Sequence, residues 1–250
     1  MVREKLMKEG VGHSGDFRWR GRDVTRIEGF SDAAFGFALT LLVVSLEVPK
    51  TFNDLLTAMQ GFGGFAISFL MLMFVWYQHY TYFRRYGLQD VVTIWLSSAL
   101  LFVVLFYVYP LKFLFNLLVG QIFEGDAAFR LPDGTLVIQP GQGSTLLIIY
   151  GAGFVAVFLV FALLYYHAYR KRDELGLTEI ETNLTTESVQ TALLSMGVGA
   201  LSIIAAAVGG NGLSGWAGPI YFLIPVIYTF EGMTWGRRNR KLKGRATAAD

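Results

Sequence analysis

The amino-acid sequence predicts an all-α membrane protein with six transmembrane helices and both termini in the cytoplasm. Three observations lead there. The 250-residue chain is 54% hydrophobic with a mean hydropathy of +0.47, above what an ordinary soluble domain carries. Its apolar residues fall in six blocks, each near the roughly 20 residues that cross a hydrocarbon core as a helix. Lys and Arg are split 18 to 2 between alternate connections, with Lys112 inside a block. Under the positive-inside rule that split places both termini in the cytoplasm and requires an even number of spans.

The blocks follow in order. The first covers Phe30 to Val48 and stops at Pro49. It comes after about 27 polar residues, so it reads as a retained helix and not as a cleavable signal peptide. The second runs from about Leu55 to Phe83 and is long enough to tilt. The third runs from Val92 to Val119, where Pro110 is expected to kink it by removing a helix hydrogen bond. The fourth covers Thr145 to Tyr169, the fifth Val189 to Val208, and the sixth Trp216 to Trp235, with Pro219 and Pro225 inside. Helices are required because lipid offers no partner to an open backbone. The chain thus divides into a cytoplasmic N-terminal tail (1–27), a six-helix domain (28–236) and a basic cytoplasmic C-terminal tail (237–250) suited to an anionic inner leaflet. Between blocks three and four, Asp133-Gly134 suggests a small hairpin, with a flexible loop as the alternative. The polar stretch Lys171–Ser188 can extend the fourth or fifth helix.

Several chemistries find no support. The chain has no cysteine, which excludes disulfides and thiolate sites. His13, His79 and His167 have no i, i+4 partner, so no metal site, cofactor or enzyme activity is expected. A net charge of +2 gives no sign of a nucleic-acid partner. Gly151-Ala152-Gly153-Phe154-Val155-Ala156 fits a dinucleotide fingerprint, but it lies inside a spanning block, where small residues serve helix contacts. Gln60-Gly61-Phe62-Gly63 resembles a potassium filter, yet too few residues precede it for a pore helix.

Polar residues inside the blocks are the functional candidates. Ser31 and Asp32 open the first helix, Gln78 and His79 lie near the end of the second, and His167 near the end of the fourth. All fall at one membrane face, where they can form an interhelical network. For His79 both structural bracing and proton sensing remain open. On the first helix Phe35, Leu39, Leu42 and Leu46 share one face, with Thr40 and Ser45 off it. By spacing alone that stripe is core, lipid-facing or pore-lining.

The stretch Arg26-Ile27-Glu28-Gly29-Phe30-Ser31-Asp32 resembles the RxxxFSD motif of the transmembrane protein 175 family, the lysosomal potassium channel and its bacterial relatives. The resemblance continues through ALTLLVVSLEVP and is similar again at Trp76-Tyr77-Gln78-His79. It covers about a third of the chain, and departs from the family at Gly29 and Ala33. It implies a homotetramer in the bacterial inner membrane, permeable to potassium and other monovalent cations, whose first helices line a pore without a carbonyl filter. It implies a hydrophobic constriction at Phe35, Leu39 and Leu42, with Thr40 nearby, and no cofactor beyond the permeant ions. It makes Arg26, Phe30, Ser31, Asp32, Trp76 and His79 a bracing network. Arg26 and Asp32 are six apart and should bind across helices. The competing expectations are a proton-coupled secondary transporter using Asp32 or His79, and a non-conducting scaffold.

Overall fold

The computed structural model describes residues 17–21, 23–44, 49–131, 133–139, 141–208 and 217–246. Among them lie seven α-helices: α1 (Arg26–Val44), α2 (Phe52–Gln60), α3 (Phe62–Tyr86), α4 (Val91–Glu124), α5 (Gln142–Arg170), α6 (Glu179–Val208) and α7 (Leu223–Ala246). Five of these, α1, α3, α4, α5 and α6, have the length and apolar composition to cross a membrane. The predicted sixth block maps to a 3-10 turn at Pro219–Phe222 followed by α7. Both of its prolines therefore stand at helix starts, where a missing N–H costs nothing. Ser45, Glu47, Trp216 and most of the N-terminal tail lie outside the described residues.

The second block is not one helix. It divides at Gly61 into the short α2 and the long α3. The physical reason lies in the next turn. A side chain at Gly63 would strike Val119, and one at Gly64 would strike the backbone of Asn116 at 2.7 Å. The glycines let α3 approach α4 closely, so the turn serves packing. The GAGFVA stretch behaves likewise inside α5. A Cβ at Gly151 would meet Ile203 on α6 at 2.5 Å, and one at Gly153 would meet the Tyr107 ring on α4 at 2.1 Å.

Helix α4 runs through Pro110 without interruption. Around that proline, Tyr107 donates to the Tyr150 carbonyl, and Tyr150 donates back to the Pro110 carbonyl, tying α4 to α5. The α4–α5 connection contains the predicted hairpin in miniature. Leu131 N donates to the Thr135 carbonyl and Val137 N to the Phe129 carbonyl, both at 2.8 Å. Gly134 takes the left-handed turn position at φ 82°. The polar stretch before block five extends that helix, since α6 begins at Glu179.

The core lies where α1, α3, α4 and α5 converge. It centres on Phe35, Ala38 and Leu42 of α1, Tyr82, Phe83 and Tyr86 of α3, Leu100 of α4, and Phe161, Leu164 and Tyr165 of α5. Helix α6 packs mainly on α5, and α7 on α6.

Candidate functional site

Helix α1 begins with a reciprocal cap. Thr25 N donates to Glu28 Oε2 at 2.9 Å, and Glu28 N donates to Thr25 Oγ1 at 3.2 Å. The Thr-x-x-Glu spacing that makes this cap is readable in the sequence. Glu28 is buried, and its second oxygen lies 3.5 Å from Arg84 Nη2 at the end of α3. Burying a carboxylate is costly unless it is paired and hydrogen-bonded; here the cap and the arginine satisfy it.

A second anchor stands one turn further on. Trp76 Nε1 of α3 donates to Asp32 Oδ1 at 2.8 Å. Asp32 thus binds across helices, to a tryptophan. Arg26 and Phe30 point outward from α1, and Arg26 has no hydrogen bond or ion pair to any described residue. Ser31 is fully buried with its hydroxyl unpartnered among the described residues. His79 is buried, with Nε2 3.2 Å from Ser97 Oγ of α4. Its ring packs against Phe83 at 4.8 Å and Phe35 at 5.9 Å. The six residues read as one network therefore separate into an Asp32–Trp76 pair, a His79–Ser97 pair, and Arg26, Phe30 and Ser31 with other surroundings.

An arm before α1 supplies a third anchor. Arg20 grips Glu181 at the start of α6 through two parallel hydrogen bonds of 2.9 and 2.8 Å, and Arg18 N adds a third at 2.7 Å. Glu181 also caps α6 by accepting from Thr178 N at 2.9 Å. Gly21 lies against α3 so closely that a Cβ would meet the Phe83 carbonyl oxygen at 2.4 Å. Phe17 inserts edge-on against Tyr86 at 5.5 Å. The sequence reading missed Glu28, Arg84, Arg20 and Glu181. The two Thr-x-x-Glu caps were a usable signal, but the long-range partners had none.

The faces of α1 are now distinct. Phe35 and Leu42 are 2% and 1% exposed, Ala38 is fully buried, and Leu39 is partly buried against the same core. The stripe read as a pore constriction thus turns inward, toward α3 and α4 of the same chain. The opposite face carries Ala33, Phe37, Thr40 and Val44 at i, i+4, i+7 and i+11. Phe37 is 57% and Val44 70% exposed. Thr40 Oγ1 donates to the Gly36 carbonyl at 2.9 Å, so its oxygen lone pairs stay available outward. No charged residue lies between Asp32 and Val44.

Residues 26–107 match the family described as Endosomal/lysosomal potassium channel TMEM175. Over 247 residues the chain is 40% identical to a Marivirga tractuosa protein named "Potassium channel", spanning 95% of this chain and 98% of that relative. A Chamaesiphon minutus protein, also named a potassium channel, is 29% identical over 102 residues, 38% of this chain and 50% of its own. The crystal structure of a variant of the potassium channel MtTMEM175, bound to a nanobody–MBP fusion, superposes with a TM-score of 0.78 at 40% identity. It covers 90% of this chain and 99% of the other. A Chamaesiphon minutus homologue of TMEM175 superposes with a TM-score of 0.54 at 21% identity, covering 82% of this chain and 96% of its own, a likeness of fold. Identity of this degree along nearly the whole of both chains, joined to the match over α1, α3 and the start of α4, places this protein in the TMEM175 family, among its bacterial members.

Proposed function

We propose that the protein is a potassium-permeable cation channel, a homotetramer of the bacterial inner membrane in which four copies of α1 line the ion path. One observation carries the reading: α1 spends one face on its own subunit and leaves the opposite, uncharged face exposed. Lipid or other copies of the chain can cover such a face; the Thr40 hydroxyl within it favours an ion path between copies. Relatives named potassium channels, one aligned over nearly its full length, supply the ion.

The residues of the exposed face then take the roles. Phe37 forms the hydrophobic constriction, in place of Phe35, Leu39 and Leu42, whose side chains serve the core. An apolar ring gates by width and dewetting, because it cannot replace an ion's hydration shell. Thr40 offers a ring of hydroxyl oxygens and Val44 a second apolar ring. Asp32, exposed at the end of the stripe, raises the local cation concentration at the cytoplasmic entrance. On this reading the path has no carbonyl filter; the helical course of α1 from Arg26 to Val44, which engages most of its carbonyls internally, supports it. Selectivity is accordingly modest, extending to other monovalent cations. No cofactor and no nucleic acid take part.

The test is reconstitution in a planar bilayer with unequal potassium and sodium. A channel gives passive current reversing toward the potassium equilibrium potential. Saturable flux that requires a proton gradient would instead indicate the transporter, and absence of current the scaffold. Asp32 and His79, the pair a transporter would use, are each engaged with a different partner.

A further inference from the structure

Helix α2 is nine residues long, and Gly61 alone separates it from α3. Its residues sort by spacing. Phe52, Leu55, Leu56 and Met59 stand at i, i+3, i+4 and i+7 and so share one face. All four are exposed, Phe52 at 72% and Met59 at 61%. Asn53 and Asp54 lie off that face. Asp54 accepts from Thr51 N at 2.9 Å and Thr51 Oγ1 accepts from Asp54 N at 3.1 Å, which caps the helix start. Among the described elements α2 makes extended contact only with α3. A helix this short is below the roughly 12–15 residues that stand alone in water. Its stability therefore depends on a cover for the apolar face.

Two observations identify the cover. Helix α3 by itself has the length and composition to cross a membrane, so α2 begins where that span ends. With a single residue between them, α2 cannot leave that level. A separate element marks the same height. Gly63 and Gly64 lie against Val119 and Asn116 of α4, and one turn past Val119 the side chains of Ile122 and Phe123 are exposed as well. Two elements thus present large apolar side chains at the edge of the hydrocarbon region. From Thr51 to Gly61 the only ionisable residue is Asp54, so nothing on α2 selects a charged headgroup.

We infer that α2 lies along the membrane surface, with its Phe52–Met59 face seated at the boundary between lipid headgroups and acyl chains. Apolar area holds such a helix in place, and electrostatic attraction to anionic lipid adds to it only where basic residues are present. The seat of α2 is therefore independent of lipid charge. The leaflet is the outer one on the proposed topology; the rest of the inference does not depend on the channel reading.

The chain contains no cysteine, so Leu55→Cys and Asn53→Cys each carry one nitroxide on the full-length protein in phosphatidylcholine vesicles. Electron paramagnetic resonance reads accessibility to oxygen, which concentrates among acyl chains, and to a water-soluble nickel chelate. The oxygen-to-nickel ratio should be severalfold higher at Leu55 than at Asn53, and unchanged when phosphatidylglycerol replaces part of the lipid. Equal ratios at the two positions overturn the inference. So does a Leu55 label shielded from both reagents: with spin–spin broadening between copies it marks a second copy as the cover, and without it another part of the same chain. A high ratio that needs phosphatidylglycerol overturns the charge-independent seat. Where Leu55→Cys loses its cooperative melt, Met59→Cys on the same face carries the same comparison. Absence of potassium current would count against the channel reading and leave these ratios untouched.

Discussion

Trp76 Nε1 donates to Asp32 Oδ1 at 2.8 Å, joining two residues 44 positions apart. The bond ties the start of α1 to the second half of α3, and the Glu28–Arg84 contact ties it again one turn earlier. Between them they fix how α1 is rotated, and so which of its faces leaves the subunit.

The Asp32–Trp76 bond should be measurable as a coupling. In a double-mutant cycle of Asp32→Ala and Trp76→Phe, unfolding in micelles should give about 1 kcal/mol of interaction energy, modest because the pair is solvent-accessible. Additive single effects would show that the two residues act independently.

The two faces of α1 should respond differently. Phe35→Ala removes a buried ring and should cost about 3–5 kcal/mol of stability with little change in unitary conductance. Phe37→Ala should leave the melting temperature within a few degrees and, on the proposed reading, raise conductance by widening the proposed constriction. Single-channel recording and thermal melts on the same preparations decide it. A conductance change confined to Phe35→Ala would restore the inward stripe as the pore.

Arg20 and Glu181 supply a third prediction. Glu181→Ala removes both the α6 cap and the acceptor for the arm, and should cost about 3–5 kcal/mol. Arg20→Lys should destabilise measurably despite keeping the charge, because an ammonium cannot make the two parallel bonds of a guanidinium. Denaturant titration of both variants checks the order, with Glu181→Ala the weaker fold.

Acid should loosen the α4–α5 end. Asp90 caps α4 by accepting from Thr93 N at 2.9 Å, and its other oxygen lies 2.6 Å from His167 Nε2 and 3.2 Å from Lys171 Nζ. Partial burial opposes ionisation of Asp90, but hydrogen bonds from Thr93, His167 and Lys171 outweigh it and hold the carboxyl well below the usual carboxylate range. A depressed folded pKa contributes stability that is complete above the unfolded value and lost as pH falls through the window beneath it. The wild-type melting temperature should therefore drop more steeply below about pH 4 than that of Asp90→Ala. At neutral pH Asp90→Ala should cost about 1 kcal/mol, while Asp90→Asn, still a good cap, should cost less. Parallel slopes in acid would remove Asp90 from the account.

Much of the architecture was legible because its signals are local. A run such as Val92–Val119 must be helical wherever it packs, since the bilayer leaves the backbone no other partner. The hairpin at Asp133-Gly134 was legible because its turn needs a left-handed residue. The break at Gly61 was not. Hydropathy runs smoothly across it, and the close approach to Asn116 and Val119 exists only once α4 is beside α3. The anchors divide the same way. The Thr25–Glu28 and Thr178–Glu181 caps are short-range patterns, but Glu28 meeting Arg84 and Arg20 meeting Glu181 join residues far apart in the chain.

The sequence by itself determined where the apolar helices run, through hydropathy, and the family, through the motif at the start of α1. It could not determine the rotation of α1. That helix is apolar nearly all round, so Phe35, Ala38 and Leu42 on one side and Phe37, Thr40 and Val44 on the other satisfy helical spacing equally. Only the tertiary structure decided between them. Trp76 and Arg84 hold the first two turns of α1 at Asp32 and Glu28, the first stripe fills the space beside His79 and Phe83, and the second is left facing out.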